Sequence, residues 1–196
     1  GELQLVCEVP DEAKPSQMAI GVDLGVNTLI AATDGEQALL INGRGVKSVI
    51  RHRNKTIGRL RSKLSKKTRG SRRSKRLRRR LHQVRGKTHQ QILDASHKAT
   101  RLVADAFPNA LCYVGKAFND AAQRTSRTIS QQVSQAVCGR LTRQLDYKTS
   151  GAIQVPEHYS SQTCPVCGKR TKARRWYRCP CGYEAPRDVV GASNIL

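Results

Sequence analysis

The sequence predicts an α/β protein in which strands and helices alternate around an inserted helical stretch. Three observations carry that reading. Short apolar runs bounded by turn residues open the chain, the apolar spacing then switches to a helical period, and strand-like and helix-like segments alternate again before two cysteine pairs.

Met18 to Leu24 is an apolar run, and Leu29 to Thr33 is a second, closed by the hairpin-turn pair Asp34-Gly35. Ala38 to Ile41 makes a third, so the domain opens as a three-strand meander. From Val46 the period changes: Val46, Ile50, Ile57, Leu60 and Leu64 recur at helical spacing. After a break from Lys66 to Gly70 the pattern resumes with Leu77, Leu81, Val84, Ile92, Ala95, Ala99 and Leu102. Two helices joined by a basic turn are implied, a hairpin over about residues 44–106. Phe107-Pro-Asn109 marks a stop, and Ala110 to Val114 reads as a buried strand. Ile129, Val133, Val137, Leu141 and Leu145 give a further helix, and Ala152 to Val155 a last strand ending at Pro156. No internal repeat is visible.

The chain has 196 residues, enough for one sizeable core and a small satellite module, and a formal net charge of +22. So large an excess needs an anionic partner, and nucleic acid is the expected one. Membrane binding is the competing reading of a basic chain, but no apolar run approaches the ~18 residues of a spanning helix. Between Gln37 and Leu93 there is no Asp or Glu, while Lys and Arg number twenty, which predicts a phosphate-facing surface. A solvated basic face without a ligand is the bland alternative, and self-repulsion along so long an uncompensated stretch argues against it. Candidate nucleic-acid contacts in the hairpin are Arg69, Arg72, Arg73, Lys75, Arg76 and Arg79.

The seven cysteines are an odd number. Cys164-Pro-Val-Cys167 and Cys179-Pro-Cys181, each followed by a glycine (Gly168, Gly182), read as a zinc ribbon of four thiolates. The second pair is one residue tighter than usual. Cys7, Cys112 and Cys138 fall in expected strands or helices and read as buried small residues. Mutual disulfides are the alternative for the four, disfavoured by the absence of a signal peptide and the cytoplasmic location that implies. Arg174, Arg175 and Trp176 lie among further cations between the pairs, an interleaving that suits single-stranded nucleic acid. Packing within the ribbon is the other reading of Trp176. Asp23, at a strand end, and Asp188, at a helix start, are candidate Mg²⁺ ligands, although an Asp in either place is ordinarily a cap. A phosphodiester-cleaving site needs a third acid.

Ile20-Gly-Val-Asp-Leu-Gly-Val-Asn27, the basic hairpin, Ser161-Gln-Thr-Cys-Pro-Val-Cys-Gly168, and Cys181-Gly-Tyr-Glu-Ala-Pro-Arg-Asp188 with Asn194 together resemble the TnpB/OrfB proteins. These are transposon-encoded RNA-guided nucleases related to the type V CRISPR effectors. The resemblance implies a C-terminal RuvC-like nuclease domain: an RNase H-like mixed sheet with a basic helical hairpin insertion and an inserted zinc ribbon. The implied divisions are an upstream segment over 1–17, whose Leu3 to Val9 reads as the tail of a strand, and a RuvC-like domain over 18–157. A zinc ribbon over 158–185 and a C-terminal RuvC helix over 186–196 follow. It further implies structural zinc, Mg²⁺ or Mn²⁺ if the site is catalytic, and guide RNA and a DNA target as partners of the full-length protein. The implied location is the prokaryotic cytoplasm, at the nucleoid. With no initiator Met at Gly1 and a stop inside an expected helix, an excised piece of a longer protein is expected.

By resemblance Asp23 matches the first catalytic carboxylate and Asp188 the third. The second belongs at the end of the strand after the hairpin, in an apolar-apolar-Gly-acid pattern. Here that pattern reads Tyr113-Val114-Gly115-Lys116. An ammonium in place of a carboxylate repels the metal it should hold. Asp120 and Glu184 are the candidate substitutes, both poorly placed. The expectation is therefore a DNA-engaging domain whose cleavage is lost or much weakened, with an active Mg²⁺-dependent endonuclease completed by a misplaced acid as the alternative. A structural scaffold for a protein partner is the third reading, and it leaves the basic hairpin unexplained.

Overall fold

A computed structural model describes residue 16 and residues 18–116, 137–172 and 174–196. The expected strand tail at Leu3 to Val9, Cys7, Asp120, Ile129 and Val133 lie outside the described residues. Three strands, β1 (Met18–Leu24), β2 (Thr28–Thr33) and β3 (Ala38–Asn42), form the antiparallel meander read from the sequence. Helices α1 (Arg44–Ser65) and α2 (Arg72–Ala106) follow, then β4 (Ala110–Lys116), α3 (Cys138–Lys148) and β5 (Ala152–Pro156). A single 3₁₀ turn spans Ser160–Gln162, β6 (Trp176–Arg178) pairs with β7 (Glu184–Pro186), and α4 (Arg187–Ile195) completes the described chain.

Among the described residues the main sheet is mixed, in the order β3-β2-β1-β4-β5, with β4 parallel to β1 and β5 parallel to β4. Parallel pairing requires crossovers, supplied between β3 and β4 by the helical hairpin. The alternation along β1 decides which face each residue serves. Ile20, Val22 and Leu24 are buried in a core with Ala99 and Val103 of α2 and Leu141 and Leu145 of α3. Gly21 and Asp23 point the other way, toward Ala192 and Gly191 of α4. Helices thus cover both faces of the sheet.

Helix α2 is 35 residues long, about 52 Å at 1.5 Å per residue. Ser71 caps it, its hydroxyl accepting from the Ser74 N–H at 3.2 Å. It packs on α1, and its C-terminal half enters the core through Ile92, Ala99 and Val103. Leu102, expected on the apolar stripe, is 53% exposed whereas Val103 is fully buried. Over so long a helix the stripe read from spacing drifts by a residue from the face that the sheet and α3 cover. Among the described residues no helix is long and apolar enough to cross a membrane.

Candidate functional site

Two sites converge on α4. The first is the four-cysteine cluster. The thiols of Cys164, Cys167, Cys179 and Cys181 all lie within 4.8 Å of one another, the one group of three or more metal-ligating side chains this close among the described residues. Cys164 and Cys181 are 3.7 Å apart and Cys167 and Cys179 3.4 Å. Four sulfurs about 2.3 Å from a tetrahedral zinc stand about 3.8 Å from each other, so the spacing fits that ion and excludes disulfide bonding. Each pair ends in a tight turn, in which Gly168 (φ 71°) donates to the Cys164 carbonyl and Gly182 (φ 94°) to the Cys179 carbonyl. The left-handed backbone there explains both glycines and lets the shorter Cys179-Pro-Cys181 pair close. Burial pushes the Cys164 thiol up, but the N–H groups of Cys167 and Val166 and the neighbouring cysteines outweigh it and hold it down at about 7. That favours the thiolate a metal needs. The cluster can hold a metal such as zinc.

Tyr177 fastens this module to the rest. It is fully buried with Val190 of α4 and Ala185, and its hydroxyl donates toward the carbonyls of Gln162 and Lys169. Trp176, one residue earlier on β6, points outward, 52% exposed, its indole N–H donating to Glu184 at 3.2 Å. Glu184 also meets Arg178, so it is engaged on the module's outer surface and does not reach Asp23. Cys112 is buried, as expected of a core residue.

The second site is a pocket of about 510 Å³ whose walls include Asp23, Glu157 and Asp188. Asp23 reaches it from the α4-facing side of β1, Glu157 from the residue after β5, and Asp188 from the first turn of α4. Burial, then the negative charges of Glu157 and Asp188, push Asp23 up to about 7 against a weaker opposing pull from Arg187. Burial also raises Glu157, opposed by His158. Cys138, half-buried at the start of α3, feels the same charges: burial raises its thiol, and Glu157 and Asp23 add to the rise. The Thr28 hydroxyl donates to Asp188, and Arg187 approaches the same carboxylate at 3.9 Å.

Room for the carboxylates comes from two glycines. A Cβ at Gly191 would stand 2.6 Å from Asp23 Oδ2, and one at Gly115 would stand 2.6 Å from Glu157 Oε2.

The sequence pointed to Asp23 and Asp188 but not to Glu157. Lys116 does stand at the end of β4, exposed, and its register partner on β5 is Pro156. Glu157 is the next residue, so a carboxylate occupies the adjoining strand end. A search of the sequence for acids flanking β5 as well as β4 would have found it. Three hard oxygen donors sharing one pocket with a single arginine fit Mg²⁺ or Mn²⁺. Not all of their ligand atoms lie within 4.8 Å of one another. Mg²⁺ tolerates that, since it keeps several waters and takes further ligands from substrate phosphates.

A neighbouring cleft of about 620 Å³ shares Asn27, Thr28, Arg187 and Asp188 with this pocket and extends to Arg44, Arg174 and Arg175. The other expected nucleic-acid contacts, Arg69, Arg72, Arg73, Lys75, Arg76 and Arg79, are exposed at the hairpin tip and the start of α2, and none lines either cavity.

Fold and sites define an α/β protein with a four-cysteine metal-binding module set against a carboxylate pocket. Residues 4–110 match the family model OrfB_IS605, described as "Probable transposase", and residues 138–195 match the Cas12f1-like TNB domain. The chain belongs to this TnpB family. It is 27% identical over 216 aligned positions to "Putative RNA-guided DNA endonuclease InsQ" of Escherichia coli (strain K12), covering 99% of this chain and 52% of that protein. A Streptomyces pristinaespiralis protein named in the same words, without InsQ, is 28% identical over 99% of this chain and 48% of its own length. The chain thus spans about half the length of these relatives. In fold it is similar to a protein solved by cryo-EM in the Cas12f1-sgRNA-target DNA complex, with a TM-score of 0.62 at 15% identity, over 97% of this chain and 51% of that one.

Proposed function

We propose that this chain is the metal-dependent nuclease part of an RNA-guided DNA endonuclease, with Asp23, Glu157 and Asp188 as its carboxylates. The observation that carries the reading is Glu157: it shares one pocket with the two acids the sequence had already singled out. The sheet order and the helices on both faces support an RNase H-like, RuvC-like domain over 18–157 with the hairpin as an insertion. The ribbon then occupies 158–185, with zinc in a structural role, and 186–196 returns to the nuclease domain. Guide RNA and target DNA are the proposed partners of the full-length protein, acting in a prokaryotic cytoplasm.

The three carboxylates would hold Mg²⁺ or Mn²⁺. Bound there, such an ion supplies an activated water and neutralises charge on the scissile phosphate. The chain's own residues do the rest. Thr28 fixes the Asp188 carboxylate, and Arg187 offers a cation at the pocket's rim. Arg44, Arg174 and Arg175 bind the phosphates of a strand lying in the adjoining cleft. Exposed Trp176 is available to stack on an unpaired base.

Lys116 favours a second reading, a domain that engages DNA with cleavage lost. The two separate in one assay of labelled single-stranded DNA with Mg²⁺ or Mn²⁺, comparing the unmodified chain with Glu157→Gln, Asp23→Ala and Lys116→Glu. Cleavage by the unmodified chain that Glu157→Gln abolishes is the expected result. Cleavage that survives Glu157→Gln but not Asp23→Ala would remove Glu157 from the site. Cleavage by Lys116→Glu alone would establish the disabled nuclease.

A further inference from the structure

Tyr159 takes a left-handed backbone, φ 59° and ψ 7°, which an aromatic residue adopts only at a cost. Glycine or asparagine would make the same turn more easily. The conformation is held at the Tyr159 carbonyl, which accepts from the N–H of Gln162 at 2.9 Å and from the N–H and hydroxyl of Thr163, each at 3.1 Å. The side chain gains no burial in return, for it is 53% exposed. The guanidinium of Arg170 lies over its ring, 4.3 Å from the centroid. Arg170 is itself exposed, its backbone bridged to Thr163, and it forms no salt bridge among the described residues. This pair stands at the carboxylate pocket, because Glu157 before Tyr159 and Ser160 and Ser161 after it all line that pocket. None of these three lines the arginine cleft, which meets the pocket at Asn27, Thr28, Arg187 and Asp188 instead. The bonds from Asn194 to Ser160 and Thr163 fasten the same turn to α4, which carries Asp188.

We propose that Tyr159, backed by Arg170, is a platform on which one unpaired base of a DNA single strand stacks, positioning a phosphate of that strand over the carboxylates. The inference rests on the proposed function, which puts a DNA strand in that pocket. Backbone strain retained at a ring that fills no core points to a ligand for the ring. A base is the ligand it suits: every base offers a flat π face, so the contact tolerates any sequence. The cation behind the ring selects a polyanion over an apolar protein partner, and its N–H groups are available to a neighbouring phosphate. The strand is then held at two places, through a base at Tyr159 and through phosphates at Arg44, Arg174 and Arg175. Tyr159 and Arg170 are positioning residues, since neither lines the carboxylate pocket.

The test is anisotropy of a short labelled DNA single strand, and of the same strand with abasic sites in place of its bases, without added divalent ions so that binding is read apart from cleavage. Tyr159→Asn accepts the left-handed turn and removes the ring, whereas Tyr159→Phe keeps the ring. Tyr147→Ala removes a similarly exposed tyrosine from α3, on the other face of the sheet, and serves as the control. Tyr159→Asn is expected to keep its thermal midpoint within about 3 °C and to lose at least about fivefold in affinity for the base-bearing strand, with the abasic strand within about twofold. Tyr159→Phe should bind both strands within about twofold of the unmodified chain. Arg170→Gln should weaken both, because it removes a phosphate partner as well as the back of the platform. Equal losses on the two strands in Tyr159→Asn, or no loss on either, would overturn the proposal. So would a Tyr147→Ala loss as large, an Arg170→Gln variant that binds as the unmodified chain does, or an unmodified chain that binds no single strand. Should Tyr159→Asn fail to fold, Tyr159→Gly, which also accepts the turn, repeats the comparison. Cleavage separates this inference from the reading it rests on. A chain that Glu157→Gln inactivates but whose binding ignores Tyr159→Asn loses the platform alone, and a chain that cuts nothing yet shows the base-dependent loss keeps the platform and loses the nuclease.

Discussion

Glu157 occupies the space that Gly115 leaves open: a Cβ on Gly115 would lie 2.6 Å from the Glu157 carboxylate and 2.7 Å from Ile195 Cδ1. Gly115→Ala therefore has to displace both of them. Overpacking of this kind costs about 1–3 kcal/mol. We expect a lower thermal midpoint together with a fall in cleavage of tenfold or more, since a displaced carboxylate no longer meets the metal at bonding distance. Activity equal to the unmodified chain's would show that Glu157 contributes nothing there.

Asp23 makes the carboxylate pocket a liability for stability when no divalent ion is present. Its folded-state pKa of about 7 lies above the ordinary 3.8, so folding favours the protonated form, and the penalty grows as pH rises from about 4 to 7. At about 1.4 kcal/mol per pH unit the ceiling is about 4 kcal/mol. Asp23→Asn should raise the thermal midpoint in EDTA, by more at pH 8 than at pH 5, while abolishing cleavage. Equal gains at both pH values would contradict the burial and charge repulsion assigned to Asp23.

Stripping metal from the four cysteines should act at a distance. Thr163 immediately precedes Cys164, and only five residues separate Thr163 from Glu157. A strong chelator, or Cys179→Ser, is expected to unfold the β6–β7 module, expose Tyr177 to quenchers of its fluorescence and lower activity even with excess Mg²⁺. Resupplied zinc should restore the chelated protein but not Cys179→Ser. Full activity without metal in the module would sever this link.

Asn194 ties the two sites together. Its side-chain amide donates to the carbonyls of Ser160 and Thr163, each at 2.7 Å. Asn194→Ala removes both bonds and should cost about 1–3 kcal/mol, at about 0.5–1.5 kcal/mol each. Cleavage should fall while the helical circular dichroism is unchanged. A loss confined to stability, with the turnover of folded protein intact, would reduce Asn194 to a packing role.

Local signals explain what was legible in the sequence. The β1–β3 meander rests on apolar runs and the Asp34-Gly35 turn, and the cysteine cluster on spacing within each pair, so both were readable at short range. Asp23 and Asp188 were readable as strand-end and helix-start acids. Glu157 was missed because, although an acid directly after β5 is visible in the sequence, its relevance comes from β5 lying beside β4 in parallel register, which local patterning does not state. The same limit explains Leu102, whose exposure depends on where α3 and the sheet stop covering α2.

The hydrogen bond from Thr28 to Asp188 joins residues 160 apart in the chain. During synthesis the residues of β1, the hairpin and β5 all emerge before α4 exists. A chain interrupted anywhere in that interval carries Asp23, and at most Glu157, with no Asp188 to complete the set. On the proposed reading, products that end between β5 and α4 keep the basic hairpin but lack Asp188, so the set of three carboxylates is complete only once α4 has been made.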